Sequence, residues 1–332
     1  MISASPNGYT PLRVLVTGAG GFVGSRLLSY LAGHTPWELV SASRGEALGV
    51  RTSTSFAYGD LAEDPPWQKG LTGIDTVIHL AARVHLMQDD AAHASELYRR
   101  INVDATESLA RAAAAAGARR FVFVSSVKVN GDSTNSAPFR PDDPPRPRDL
   151  YGLSKLQAEL VLRDVAAASA MELVIVRPCL VYGPGVGANF RSLMRWLRRG
   201  VPLPFGAIRN SRSLLAIDNL CSLLTACVAH PSAAGQVFLP SDGEDVSTTE
   251  LLRRLGSAMG HRARLVSVPE HAVRAALSFV GRRDIGARLC DSLCVDSLST
   301  RHRLDWQPPV TLDEGLRLTA SAFLAAAAEK SQ

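Results

Sequence analysis

The fold of this chain is decided by Val14-Leu15-Val16-Thr17-Gly18-Ala19-Gly20-Gly21-Phe22-Val23-Gly24. An apolar run stops there at a glycine-rich turn, and a helical pattern follows over 25–31. Residues without a Cβ atom let the backbone approach a diphosphate, and the helix offers free N–H groups and its positive dipole end. The spacing Gly18-x-x-Gly21-x-x-Gly24 is one residue away from the G-x-G-x-x-G form. An ordinary tight turn would also carry such glycines, but their place at the first strand-to-helix junction favours dinucleotide binding.

Composition and charge narrow the class of protein. The chain has 332 residues, 46% of them hydrophobic, which is enough for a substantial core. Its net charge of +5 comes from scattered basic residues, so we expect no nucleic-acid partner. Residues 1–11 lack the features of a signal peptide, and no apolar run approaches the ~18 residues of a membrane span. We therefore expect a cytoplasmic protein with no membrane partner.

The cysteines indicate neither disulfides nor a metal. There are five of them, an odd number without C-x-x-C spacing. Reduced, buried thiols fit this pattern better than a disulfide framework or a zinc site. We predict that no metal is bound.

Strand and helix patterns alternate along the first half of the chain. Up to residue 178 they predict repeated β-α units, hence an α/β fold with a doubly wound parallel sheet of the Rossmann type. After Tyr182-Gly183-Pro184-Gly185 the pattern becomes irregular, and it closes with an amphipathic helix over 312–329. We assign 12–180 to an NAD(P)-binding Rossmann domain. We assign 181–330 to a smaller C-terminal substrate-binding lobe, interleaved with returns to the main sheet.

The end of the second strand bears on the choice of cofactor. About twenty residues beyond the glycine turn, a dinucleotide fold places an acid for the ribose 2′-hydroxyl or a base for a 2′-phosphate. This chain has Ser43-Arg44 there and no acid. Arg44 therefore favours NADP(H), with NAD(H) possible if Arg44 only stacks on the adenine or faces water.

Three side chains suit carbonyl chemistry with a nicotinamide. Ser126 follows a central strand, at the edge where α/β sheets bind ligands. Tyr151 and Lys155 are four residues apart and share one helix face. A phenol has a pKa of about 10, and a nearby ammonium together with the nicotinamide's charge would favour the phenolate. Ser126 would hold the substrate oxygen, Tyr151 would exchange its proton, and Lys155 would also bind the nicotinamide ribose. An exposed helix pair could show the same spacing, but the glycine turn and Ser126 favour catalysis.

Asn102 stands inside the long helical stretch 91–116. Asn is a poor helix former because its side chain competes for backbone hydrogen bonds. We expect a local distortion or a hydrogen-bonding role at this position.

These motifs resemble those of the extended short-chain dehydrogenase/reductase superfamily, in its NAD-dependent epimerase/dehydratase branch of sugar-nucleotide enzymes. The likeness spans about residues 12–320. It implies that the cofactor meets Gly18, Gly21, Phe22, Val23, Gly24, Arg44, Asp60, Leu61, Leu80, Ala81, Ala82, Asn102, Tyr151, Lys155 and Pro178. It also implies a nucleotide-sugar substrate, UDP-linked, that meets Arg83, Ser126, Lys128, Asn189, Phe205 and Arg212. In the family, the positions of Asn189 and Arg212 meet the diphosphate, and that of Phe205 lies near the nucleobase.

Departures from the family pattern narrow the expected activity. The 4,6-dehydratases carry Thr-Asp-Glu from the catalytic hydroxyl onward, whereas this chain has Ser126-Val127-Lys128 and no acid to remove water. UDP-galactose 4-epimerases usually have an acid at the end of the second strand, and Asn where Leu180 stands. The segments 82–85 and 125–131 most resemble bacterial 4-keto-sugar reductases, which act on UDP-N-acetyl-6-deoxy-hexosuloses in surface-polysaccharide (O-antigen) biosynthesis.

Three functions follow as hypotheses. The leading one is an NADP(H)-linked reductase of the C4 ketone of a UDP-linked 4-hexulose. The first alternative is a UDP-hexose or UDP-N-acetylhexosamine 4-epimerase with resident NAD and the same trio of side chains. The second, from another class, is a non-catalytic dinucleotide sensor, which would not need all three. The small residues of helices 91–116 and 153–168 resemble the family's dimer-forming pair, so we expect a homodimer.

Overall fold

The chain divides into two units, which the computed structural model describes over residues 11–45, 52–63, 65–84 and 91–329. The first unit combines the chain up to Val129 with Pro145–Arg177 and Cys221–Phe238. The second unit holds Asn130–Pro144, Pro178–Leu220 and the residues from Leu239 onward. The chain therefore passes between the two units several times.

The strands and helices are numbered in chain order over the described residues. The strands are β1 (Arg13–Thr17), β2 (Glu38–Ser43), β3 (Thr54–Ala57), β4 (Thr76–His79), β5 (Arg120–Val124), β6 (Glu172–Val176), β7 (Leu180–Tyr182), β8 (Arg212–Ala216), β9 (Val237–Phe238) and β10 (Asp245–Val246). The helices are α1 (Phe22–His34), α2 (Gln68–Leu71), α3 (Ala91–Tyr98), α4 (Ala105–Ala115), α5 (Leu150–Ala167), α6 (Ala188–Arg198), α7 (Ile217–Ala229), α8 (Thr248–Ala258), α9 (Glu270–Phe279), α10 (Arg283–Cys290), α11 (Leu298–Leu304) and α12 (Leu312–Glu329).

The first unit is built on a parallel sheet. Within the described residues its seven strands run in the order β3-β2-β1-β4-β5-β6-β9, and every neighbouring pair is parallel. The central strands are apolar and buried because helices cover both faces of such a sheet. The strand order reverses direction between β1 and β4, which is where doubly wound sheets bind ligands. The predicted fold class is confirmed.

The second unit has its own small sheet and apolar core. In the described part of the chain its strands lie in the order β10-β8-β7, with β7 and β8 parallel and β10 antiparallel to β8. The core packs the buried rings of Tyr182, Phe190 and Phe205 with side chains of α6, α8 and α12. The closing helix α12 spans the residues that the sequence pattern predicts.

The glycine turn after β1 leaves no room for side chains at two of its positions. Gly18 has φ +68°, in the left-handed region that favours glycine. A Cβ atom on Gly24 would lie 2.2 Å from the carbonyl oxygen of Gly18. Helix α1 begins at Phe22, three residues before the helical pattern indicates, and the Gly21 N–H donates to the Gly18 oxygen. The turn and the helix are therefore packed backbone to backbone.

Replacing Gly24 by Ala should destabilise the protein, because the added methyl overlaps the Gly18 carbonyl. We expect Gly24→Ala to lower the free energy of unfolding by about 1–3 kcal/mol, the usual cost of overpacking. Gly20 is the matched control, since a Cβ there has nothing within 4 Å. Gly20→Ala should stay within about 0.5 kcal/mol of wild type. Chemical denaturation of both variants checks this, and equal stabilities would contradict the packing described here.

Candidate functional site

The glycine turn lies against the segment that follows β4. A Cβ on Gly18 would come within 2.9 Å of the Ala81 nitrogen and 3.0 Å of the Leu80 carbonyl carbon. The predicted residues Leu80 and Ala81 therefore line the turn from the segment after the neighbouring strand, where the two backbones meet. Phe22 and Val23 are half-buried in the first turn of α1. The turn and the N-terminus of α1 form a glycine-rich cradle that fits a dinucleotide diphosphate.

A buried hydrogen-bonded chain supports this cradle. Thr17 Oγ1 accepts the N–H groups of Leu80 and Ala81 at 3.2 and 3.3 Å and lies 2.7 Å from His79 Nδ1. His79 Nε2 lies 2.9 Å from Thr106 Oγ1 on α4. Because the threonine hydroxyl has one hydrogen to give, we infer that it donates to Nδ1, so Nε2–H donates to Thr106. Burial, and secondarily the charge of Lys155, lower the pKa of His79 to about 3.

Asn102 has both of the features expected from its place in the sequence. It lies in a π-helical turn, Arg99–Asp104, between α3 and α4. Its side-chain oxygen accepts the Arg83 N–H at 2.8 Å, and its amide donates to the Arg83 carbonyl and to Ser154 Oγ, both at 3.0 Å. The wide turn thus aims a buried amide at the segment after β4 and at α5, and the prediction is confirmed.

The rim of the cradle is formed by the ends of β2 and β3. Arg44 is exposed directly after β2, close enough to the phenol of Tyr58 to lower a pKa that burial raises. Asp60 is exposed, and its carboxylate accepts the Ala62 N–H at 2.9 Å, which starts a short 3₁₀ turn at Leu61. An exposed guanidinium and a carboxylate therefore stand at this rim.

Ser126, Tyr151 and Lys155 come together where β5 ends and α5 begins. A hydrogen bond joins the hydroxyls of Ser126 and Tyr151. Ser126 Oγ also accepts the Lys128 N–H at 3.2 Å, so its own hydrogen stays available for another oxygen. A Cβ on Gly152 would lie 2.8 Å from the Lys128 carbonyl oxygen, so the Ser126 turn packs directly on the start of α5.

The electrostatics of the trio differ from the sequence-based expectation. Burial raises the pKa of Tyr151 to about 12, against the lowering by its bond to Ser126, and the carboxylate of Asp149 raises it further. Burial lowers the pKa of Lys155 to about 7, and the charge of Glu159 acts against that shift. The Lys155 ammonium lies 4.3 Å from the centre of the Phe123 ring. Desolvation of both groups outweighs the help that the ammonium was expected to give to the phenolate.

Two of the residues predicted to bind substrate flank this trio. The Lys128 ammonium pairs with the Asp149 carboxylate at 2.5 Å, and the same carboxylate caps α5 by accepting the Gly152 N–H. Arg83 is half-buried, and its backbone is held by Asn102. Tyr98 adds a second ring beside Tyr151, with 6.3 Å between the ring centres.

The remaining predicted residues belong to the second unit. Pro178 begins its second segment, and Phe205 is buried in its core. Arg212 is half-buried, and this desolvation lowers the pKa of its guanidinium, which donates to the carbonyls of Arg288 and Asp291 at 2.9 and 3.0 Å. Asn189 lies in the first turn of α6, with its side chain outside the described residues.

The second unit also contains a polar cavity of about 410 Å³. Arg209 and Arg274 contribute positive charge to its wall, with Glu270 and Asp291 as the acids, and Arg212 is bonded to the Asp291 carbonyl at its edge. Among the described residues, no group of His, Cys, Asp or Glu has the arrangement of a metal site. The same part of the chain contains no helix long and apolar enough to cross a membrane.

The parallel sheet, the glycine cradle and the Ser126–Tyr151–Lys155 trio define a Rossmann-fold enzyme that works with a nicotinamide cofactor. The chain belongs to the NAD dependent epimerase/dehydratase family, whose model matches residues 14–239. Membership makes it an NAD-dependent sugar-nucleotide enzyme, as the resemblance implies.

Three individual relatives illustrate the range of this family. UDP-glucose 4-epimerase from Vibrio cholerae is 44% identical over 318 residues, covering 95% of this chain and 97% of the relative. GDP-6-deoxy-D-mannose reductase from Pseudomonas aeruginosa is 29% identical over 321 residues, covering 93% and 96%. The structure of MoeE5 in complex with UDP-glucose and NAD has a TM-score of 0.75 and 27% identity, covering 95% of this chain and 99% of that one. The epimerase alternative is therefore better supported than the reductase.

The buried His79 should make stability depend on pH. Its pKa is lowered in the folded state, so the unfolded chain binds the proton more readily and stability falls as pH drops below about 6.5 toward 3. Between pH 7 and pH 5 we expect a loss of about 2 kcal/mol in wild type that His79→Gln lacks. His34→Gln, at an exposed position on α1, should keep the wild-type loss. Urea unfolding at both pH values measures this, and equal losses in wild type and His79→Gln would refute it.

Proposed function

We propose that this protein is a UDP-hexose 4-epimerase that retains NAD as a resident cofactor. The observation that carries this proposal is the intact Ser126–Tyr151–Lys155 trio in a chain 44% identical, over nearly its full length, to a UDP-glucose 4-epimerase. The glycine cradle fits the cofactor, since its backbone is open at Gly20 and closely packed at Gly18 and Gly24. A solved relative holds NAD and UDP-glucose together.

Ser126, Tyr151 and Lys155 each have a separate role in the reaction at C4 of the sugar. Ser126 donates to the C4 oxygen, because its own oxygen already accepts the Lys128 N–H. Tyr151 takes the C4 hydroxyl proton and later returns it to the same oxygen. A bound NAD would supply reversible hydride transfer at C4, with the hydride returned to the opposite face of the sugar carbon. Lys155 binds the ribose hydroxyls of the cofactor and holds positive charge next to the phenol. Burial raises the pKa of Tyr151, so Tyr151 takes the C4 hydroxyl proton only as the phenolate, which forms by loss of its proton to solvent and is favoured by the positive charges of Lys155 and a bound nicotinamide.

The second unit supplies the groups that suit the UDP part of the substrate. We assign the diphosphate to Arg212 and Asn189 and the nucleobase to the neighbourhood of Phe205. Arg209 lines the nearby cavity, where Arg274 is paired with the carboxylates of Glu270 and Asp291 at 2.6 and 2.7 Å. Arg83 and Lys128 are assigned to the sugar end. A cytoplasmic location and a homodimer complete the proposal.

The 4-keto reductase remains the second candidate, and two positions favour it. Arg44 stands where an NAD-specific epimerase usually has an acid, and Leu180, 45% exposed, stands where it has Asn. A relative of similar length is a GDP-6-deoxy-D-mannose reductase. A reductase consumes added NADPH with one product per turnover, whereas an epimerase needs no added nucleotide. A dinucleotide sensor would do neither.

Tyr151→Phe tests the catalytic assignment. We expect UDP-galactose and UDP-glucose to interconvert without added nucleotide in wild type, and about 10²–10⁴-fold more slowly in Tyr151→Phe, the range for general acid–base groups. Tyr98→Phe, which keeps the neighbouring ring, should stay within a few fold of wild type. Sugar analysis by chromatography gives both rates. Near-normal turnover in Tyr151→Phe would remove it from this role.

Arg44 tests the choice of cofactor. If it meets a 2′-phosphate, one charge-assisted hydrogen bond of about 1.5–3 kcal/mol makes NADP bind roughly ten- to a hundredfold better, and Arg44→Ala abolishes the difference. If NAD is the resident cofactor, as we propose, purified protein carries NAD and Arg44→Ala retains it. Extraction of the bound nucleotide, with calorimetric titration of the empty protein, decides between the two. If wild-type protein carries NADP and Arg44→Ala does not, the NAD assignment is overturned.

A further inference from the structure

Helix α5 presents a third ionisable side chain on the face that carries the catalytic pair. Tyr151, Lys155 and Glu159 are spaced four residues apart, so they follow one another along one side of the helix. Lys155 and Glu159 are 2% and 1% exposed. Neither the catalytic chemistry nor the sequence pattern accounts for a buried carboxylate one turn beyond the lysine.

Two neighbouring strands bind this carboxylate. Ser125, directly after β5, donates its hydroxyl to Glu159 Oε1 at 2.6 Å. Arg177, directly after β6, donates Nε to Oε1 at 2.9 Å and a terminal nitrogen to Oε2 at 2.6 Å. Arg177 and Ser125 are each 3% exposed. The carboxylate is thus held by a bidentate guanidinium and a hydroxyl, the strongest set of donors that protein side chains offer.

The backbone ties these donors to the sheet. The Ser125 N–H donates to the Val176 carbonyl at 2.7 Å, and the Arg177 N–H donates to the Phe238 carbonyl at 2.8 Å. Glu159 therefore fixes α5 against the ends of β5 and β6. Since Ser125 precedes Ser126 in the chain, the same contact sets where Ser126 stands relative to Tyr151.

We propose that Glu159 is a positioning residue which, clamped by Ser125 and Arg177, favours the ammonium form of Lys155 and seats Ser126 next to Tyr151. The neutral His79 of β4 lies close enough to Lys155 to feel its charge, Tyr151 and Glu159 lie one turn either side of it on α5, and Arg177 is bonded to Glu159. Of these, Glu159 is the group whose charge favours the ammonium. The inference rests on the proposed function only in treating Lys155 as catalytic.

The test is a direct titration of Lys155, which needs no sugar substrate. The chain contains four lysines, Lys69, Lys128, Lys155 and Lys330, so protein labelled with ¹³C at the lysine ε-carbon gives four signals. The spectra of Lys69→Arg, Lys128→Arg and Lys330→Arg assign the Lys155 signal by elimination. We expect the wild-type signal to titrate with a midpoint at pH about 7.

In Glu159→Gln the midpoint should fall by about one pH unit or more, because a carboxylate one helical turn from Lys155 is lost and no longer offsets the charge of Arg177. Glu172→Gln is the matched control: Glu172 pairs with Arg120 at the other end of β6, so the midpoint should stay within about 0.2 units. An unchanged midpoint in Glu159→Gln would overturn the proposal, whatever the protein's substrate proves to be.

Two further variants cover the case that loss of the Glu159 carboxylate from Arg177 prevents folding. Glu159→Asp keeps the charge and should keep the midpoint within about half a unit of wild type. Glu159→Gln with Arg177→Met removes both charges and should lower the midpoint, by less than Glu159→Gln alone would. A double variant in which Lys155 titrates with the wild-type midpoint would refute the role of Glu159.

With the epimerase assay, Glu159→Gln should lower kcat more at pH 8 than at pH 6 and leave KM within about twofold. A purely structural role of Glu159 would not produce a pH-dependent loss of kcat while KM stays nearly unchanged.

Discussion

The buried ion pair between Arg177 and Glu159 is the contact on which the site depends. Its two parallel hydrogen bonds, at 2.9 and 2.6 Å, join the helix that carries Tyr151 and Lys155 to the end of the sheet. Taking two charges out of water is costly, and such a pair stabilises little more than apolar residues of the same volume would. What it provides is geometry, because a guanidinium and a carboxylate meet in one planar arrangement. Helix α5 is therefore held in one position relative to the ends of β5 and β6.

On the cofactor side of the site, buried hydrogen bonds between uncharged groups also fix the position of the backbone. Thr17, His79 and Thr106 form a chain across β1, β4 and α4, and Asn102 binds the backbone after β4 from a π-helical turn. These groups are fully buried, so an unmade bond would cost about 1–3 kcal/mol. Satisfied hydrogen bonds thus fix the backbone on which a diphosphate and a nicotinamide ribose would rest.

Local chemistry explains what the sequence could predict. Four features can be recognised from short stretches of sequence. They are the glycine spacing, the Tyr151/Lys155 pair, Asn102 as a poor helix former inside a helix, and the closing helix α12. The hydrogen-bond partners of His79 lie 62 and 27 residues away, and those of Glu159 lie 34 and 18 residues away, so no local pattern marks them. The pKa of Tyr151 depends on how deeply the phenol is buried, which spacing does not reveal. For the same reason, the sequence does not predict the hydrogen bonds of Arg212 to two carbonyl oxygens, because these bonds form only in the folded second unit.

In the proposed 4-epimerase reaction, the hydrogen leaves C4 and returns to C4 without exchange, while Tyr151 would hold only the hydroxyl proton. The most direct test uses UDP-galactose with deuterium at C4, incubated with purified protein and no added nucleotide. The expected result is UDP-glucose that retains deuterium at C4. UDP-glucose without the label, or product that forms only when NADPH is added, would contradict a 4-epimerase with a resident cofactor.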